Sequence, residues 1–214
     1  MKFQELLEIV GDTPVFSSAL LRAGDVDLAD IASQLSRWVK SGKLIALRRG
    51  VYALGTTYSR RAPHPFEVAN LLQRPSYVSM ESALSYYGML PEAAFATASV
   101  TSGRGGAFDT PLGTYLYQHV APGLFWGYSQ ETVAQAGAVA LVAKPEKALL
   151  DLVYIRPGAD DPAFLRQLRL QRLSVIDMDL LAEYAERSGK PKLVRAARAV
   201  AEIARVQEKG WVEL

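Results

Sequence analysis

Cysteine is absent from this 214-residue chain. That excludes a disulfide scaffold, thiol catalysis and cysteine-ligated zinc, and it points to the reducing cytoplasm. Histidine is scarce: His64 and His119 are the two in the sequence, too few for a histidine-rich metal site. No apolar run reaches the roughly 18 residues that a membrane span needs. The opening MKFQELLEIVGD carries acidic residues and no apolar core, so no secretion signal is expected. One further scarcity is local. Residues 31 to 61 contain no Asp or Glu, but they hold Arg37, Lys40, Lys43, Arg48, Arg49, Arg60 and Arg61. On a chain of net charge +2 this is a single basic stripe, and it predicts one anionic contact surface.

What is present is globular in composition: 50% hydrophobic and 21% charged residues can bury a substantial core. Phe3, Leu6, Leu7 and Val10 predict a short amphipathic helix that Gly11 ends. After Thr13-Pro14, Ser17 or Ser18 is placed to cap a second helix running to Arg22, and Gly24 to close it. Asp25 and Asp27 offer caps for a third helix, in which Leu28, Ile31, Leu35, Trp38 and Val39 recur at three- and four-residue spacing. The opposite face of that helix carries Asp30, Ser33, Gln34, Arg37, Lys40 and Ser41, side-chain types that read base edges and bind phosphates. Gly42 then turns the chain into Leu44 to Arg48 and Val51 to Leu54, which alternate as strands around Arg49-Gly50.

Three helices followed by a basic hairpin give the order of a winged helix-turn-helix. The expected fold is therefore α+β, with a DNA-binding winged helix over residues 1–61. The residues expected on DNA are Ser33, Gln34 and Arg37 at bases, and Lys40, Arg48 and Arg49 at phosphates or the minor groove. Arg60 and Arg61 are expected as a basic arm or a solvated pair. Pro63 and Pro65 mark a linker and a boundary. Residues 62–214 then predict a mixed α/β domain with a helical part from about residue 160. Its expected strands are Thr97 to Ser102, Gly113 to Val120, Leu124 to Tyr128 and Val139 to Val142. A helix is expected to open at Pro145.

Chemistry is sparse in this second part. Ser102-Gly103-Arg104-Gly105-Gly106 follows a strand but lacks GK[ST] and the full GxGxxG, so a flexible turn is expected there rather than a phosphate cradle. Glu146 and Asp151 stand five apart on one helix, a poor spacing for paired carboxylates. Glu146 is expected to favour the helix start through the dipole, and Lys147 to be surface charge. Ser79 and Ser82 read as caps, and His119 as a structural or surface residue. Tyr86, Tyr87, Tyr115, Tyr117, Trp126 and Tyr128 read as packing. Arg195, Arg198 and Arg205 read as a solvated face. No catalytic constellation and no cofactor motif emerges, and the chain is not expected to be an enzyme.

Four stretches carry a family likeness: LIALRRGVYAL, PSYVSMESALSYYGMLP, a strand region with FWGY, and AKPEKALLDLVY. Together they resemble the AbiEi antitoxin family of type IV, abortive-infection toxin–antitoxin systems. The likeness runs from the basic hairpin to about Ile155, and more loosely to the chain end. It implies an N-terminal winged helix on DNA, a larger antitoxicity domain, and repression of the chain's own promoter at repeats. It also implies a cognate nucleotidyltransferase-like toxin, which the antitoxin of such a system need not touch. Direct toxin binding, or regulation without a toxin, are the other outcomes to expect.

Overall fold

The computed structural model describes residues 1–22, 28–91, 95–134 and 137–210. The architecture is mixed α+β. Helix α1 (Phe3–Val10) buries Leu6 and Val10, and the chain then extends into β1 (Val15–Ser17) before a 3-10 turn over Ser18–Arg22. The second helix expected from the sequence is therefore a strand and a short turn. Phe16 is buried and stacks on Tyr52, 5.9 Å between centroids, which holds this stretch extended and leaves five residues for the turn. The capping roles expected of Gly24, Asp25 and Asp27 lie outside the described residues, as does the side chain of Leu28. Helix α2 (Leu28–Lys40) leads into the hairpin of β2 (Leu44–Arg48) and β3 (Val51–Leu54).

These three strands form an antiparallel sheet in the order β1-β3-β2. Alternation along each strand sends side chains to two different cores. Phe16, Leu44 and Leu54 join Leu6, Val10, Leu21, Ile31 and Leu35 in a small N-terminal cluster. Val15, Leu47, Val51 and Ala53 point the other way and join the large cluster of the remaining chain. Each fully buried Leu, Ile, Val or Phe contributes about 1.5–3 kcal/mol. A slip of one residue would exchange the two sets, so register is well determined. Gly55 closes this unit at a close backbone approach. A Cβ there would stand 2.5 Å from the Gly42 carbonyl oxygen, so no other residue fits unchanged.

The second region is built on a six-stranded mixed sheet in the order β6-β7-β5-β4-β9-β8. Its strands are β4 (Ser76–Val78), β5 (Thr97–Thr101), β6 (Gly106–Thr110), β7 (Gly113–His119), β8 (Tyr128–Thr132) and β9 (Val139–Ala143). β5 pairs with β7 in parallel, as β4 does with β9, and the other pairings are antiparallel. The strand expected over Leu124 to Tyr128 is instead a 3-10 turn at Pro122–Leu124, with β8 starting at Tyr128. The glycine-rich stretch expected as a flexible turn leads straight into edge strand β6.

Helix α3 (Pro65–Leu72) packs on β1 and β9, tying the small sheet to the large one. Helix α4 (Met80–Tyr86) precedes β5. Helix α5 (Pro145–Ile155), opened by Pro145 as expected, lies against β9 and is surrounded by α4, α7 (Met178–Arg187) and α8 (Pro191–Gly210). With α6 (Pro162–Gln167), these last helices form a helical C-terminal part. No helix among the described residues is long and apolar enough to cross a membrane.

Candidate nucleic-acid interface

Helix α2 is amphipathic: Ile31 and Leu35 are buried, and Trp38 and Val39 are packed against them. Asp30, Ser33, Arg37, Lys40 and Ser41 are exposed on the far side. Arg37 and Lys40 sit in the last turn, where cations complement the partial negative charge of the helix terminus. Gln34 does not stand with this exposed set, contrary to the expectation from the sequence. It lies between Ile31 and Leu35 on the border of the apolar stripe. It is half-buried, and its Oε1 is closed off from solvent without a hydrogen-bond donor among the described residues.

The hairpin tip presents Arg48 and Arg49, both exposed. Arg48 is anchored as well as exposed. Its guanidinium lies over the ring of Phe108 in β6, 5.0 Å from the centroid, so the tip rests against the edge of the large sheet. Lys43 similarly covers Phe3 at 4.9 Å.

Arg60 and Arg61 part company. Arg60 is 80% exposed and pairs with exposed Asp12 at 2.6 Å, a surface pair of small energetic value that leaves the cation accessible. Arg61 grips Glu67 with both guanidinium nitrogens, at 2.6 and 2.8 Å, and both side chains are largely covered. This hydrogen bonding raises the Arg61 pKa further. Arg61 is therefore neither a free arm nor a solvated pair. It fastens the chain to α3, whose first turn supplies Glu67. His64 caps the same helix, its Nδ1 accepting from the Phe66 amide at 3.2 Å, and burial lowers its pKa.

A cleft of about 650 Å³ runs between α3 and the β8–β9 edge and includes Glu67, Asn70, Arg74, Tyr128 and Leu141. Two of its polar side chains are already engaged: Glu67 with Arg61, and Asn70 with both backbone groups of Leu141.

A polar constellation that the sequence did not announce lies inside the large core. Lys147 and Asp151 are each 3% exposed at the side chain and ion-pair one turn apart on α5. The Asp151 carboxylate also accepts from Ser79 Oγ at 2.7 Å and Tyr77 OH at 3.0 Å, and Lys147 Nζ donates to Tyr77 OH at 2.9 Å. Burial pushes the Asp151 carboxyl above its ordinary pKa, while Lys147, Ser79 and Tyr77 pull it back. Tyr77 is likewise raised by burial. Lys147 is thus not surface charge, because α5 is enclosed by helices on the faces that the sheet leaves open.

Two sequence expectations change with it, and Glu146, which stands in the first turn of α5 as expected, gains a further role. Ser79 occupies the N-cap position of α4 but makes no capping bond, since its hydroxyl is given to Asp151. Ser82 lies within α4 and bridges the backbones of Ala96 and Ala98. Glu146 is buried, and it accepts from the Asp177 amide at 2.8 Å, bracing the entry to α7. The nearest cavity to Lys147 and Asp151 is about 10 Å³, room for no substrate. The four-residue spacing of Lys147 and Asp151 was the available signal, since it places opposite charges on one helical face.

No protein-family model matches the chain, and no curated protein matches it.

Proposed function

We propose that the chain is a double-stranded DNA-binding repressor of its own promoter, working through an N-terminal winged helix-turn-helix. On this reading α2 enters the major groove, with Ser33 and Arg37 facing bases. Lys40, Arg48 and Arg49 take phosphates or the minor groove, and Arg60 remains in reach of the backbone. The element order α1, β1, turn, α2, β2, β3, with β3 central in the small sheet, supports a winged helix. The observation that carries the reading is that Arg37, Lys40, Arg48 and Arg49 are exposed and have no ion-pair partner among the described residues. Uncommitted surface cations of this density release counterions when they meet phosphates, which is the main source of DNA affinity.

The resemblance of these stretches to AbiEi antitoxins extends the proposal to the antitoxin role in a type IV system, opposite a nucleotidyltransferase-like toxin. The antitoxin role is tested by co-expression with the product of the adjacent gene. Growth arrest by that product, relieved by this chain, is the expected result.

The DNA reading is tested by titrating the chain's own promoter across a salt series. Arg48→Ala with Arg49→Ala should weaken binding and flatten the log–log salt dependence by about 0.9 for each phosphate no longer neutralised. Wild-type affinity and slope in the double variant would remove the wing from the interface.

A further inference from the structure

We infer that the chain holds a phosphate-binding site in the cleft between the hairpin tip, the 3-10 turn and the end of α3. The cleft measures about 340 Å³ and is lined by Ser17, Ser18, Arg48, Arg49, Leu71 and Arg74, with small and apolar residues between them. The arginines come from two separate segments, the hairpin tip and the residues just after α3, and among the described residues no carboxylate lines the cleft. The carboxylate of Glu67, which faces the neighbouring groove, is bound by Arg61. Three arginines lining one opening concentrate positive charge there, and an anion among them is favoured. Guanidinium forks match phosphate oxygens in pairs, which favours phosphate over a compact monovalent anion.

The site is also braced. Arg48 rests on the Phe108 ring, which limits how far it can swing away. Ser17 Oγ accepts from the Ala19 amide, and among the described residues its own hydrogen has no acceptor. Ser18 donates its amide to the Gly50 carbonyl at 2.8 Å, which fixes the turn against the tip. A Cβ at Gly50 would stand 3.2 Å from Ser18 Oγ, so glycine keeps the space beside that hydroxyl open. The volume lies at the small end of ligand pockets and exceeds what one phosphate fills, with Leu71 offering an apolar wall.

This inference shares Arg48 and Arg49 with the DNA reading and goes beyond it by adding Arg74, Ser17 and Ser18 as a built site. The phosphate comes either from a DNA backbone or from a phosphorylated small molecule, and the test separates them. The full chain is titrated with sodium phosphate and with pyrophosphate against chloride at matched ionic strength, by calorimetry and thermal unfolding. A saturable heat and a rising melting temperature are expected. Arg74→Gln should weaken that binding at least tenfold, and Arg74→Lys, which keeps the charge and loses the fork, by less.

No saturable binding in the wild-type chain, or equal binding in Arg74→Gln, overturns the site. Promoter affinity is then measured for wild type and Arg74→Gln without phosphate. A fall for Arg74→Gln identifies a DNA phosphate as the occupant, and equal affinity identifies a free phosphorylated molecule. Phosphate binding by a chain that ignores its promoter would sink the DNA reading and leave this site standing.

Discussion

The two regions handle charge in opposite ways. In the small N-terminal unit, Arg37, Lys40, Arg48 and Arg49 are exposed, and around Leu6, Phe16, Ile31 and Leu35 no charged side chain among the described residues is buried. In the large unit, Lys147, Asp151 and Glu146 are buried, and each meets a named partner. Solvated cations cost the fold little and stay available to a ligand. Buried charges contribute only through their partners, and losing one partner leaves the other stranded in a low-dielectric interior. The same residue types therefore signal binding in one half and architecture in the other.

The sharpest way to break this comparison is Asp151→Asn. It strands the Lys147 ammonium, and a loss of about 3–5 kcal/mol in denaturant unfolding is expected, with promoter affinity of the folded protein unchanged. If stability holds, Lys147 is not confined as described. Arg37→Ala should do the reverse. Operator affinity should fall by about 1–3 kcal/mol with specificity relaxed, while unfolding moves by no more than about 0.5 kcal/mol.

Arg61→Ala sharpens the boundary between the halves. Removing its paired bonds to Glu67 should cost about 1–2 kcal/mol of stability, with the promoter salt slope unaltered. A reduced slope would return Arg61 to the DNA surface.

The smallest expected effect is pH-dependent. The folded-state pKa of His64 lies below its ordinary value of 6.5, so its neutral form is favoured by folding. Its contribution is present above that ordinary value and lost as pH falls through the folded one. The stability difference between wild type and His64→Asn, which keeps a capping acceptor, should therefore shrink on acidification. A difference independent of pH would show that His64 does not titrate with folding.

Much of the layout was legible wherever one periodicity ran unbroken. The stripe from Ile31 to Val39 marked α2, and the alternation around Arg49-Gly50 marked the hairpin. Pro145 marked the start of α5. Short extended pieces were not legible. Val15–Ser17 and Ser76–Val78 are three residues each, too short to show a period, and they are strands because neighbours distant in sequence pair with them. The exposed cations were readable because solvation is the default for charge. The Lys147 network was not, since that default misleads where a helix is enclosed on every side. Gln34 failed for a gentler reason: it sits at the edge of a stripe, where a helical wheel decides little.

Gly127 presses on the stem of Lys147: a Cβ there would stand 3.0 Å from Cγ. The Trp126 ring lies over the ammonium, 5.2 Å away at the centroid. An amine so enclosed is silent to acylating reagents while the fold holds. Its labelling rate is a clock for opening of the large core, read at one residue by mass spectrometry, against which the solvent-facing Lys40 on α2 serves as the fast internal reference.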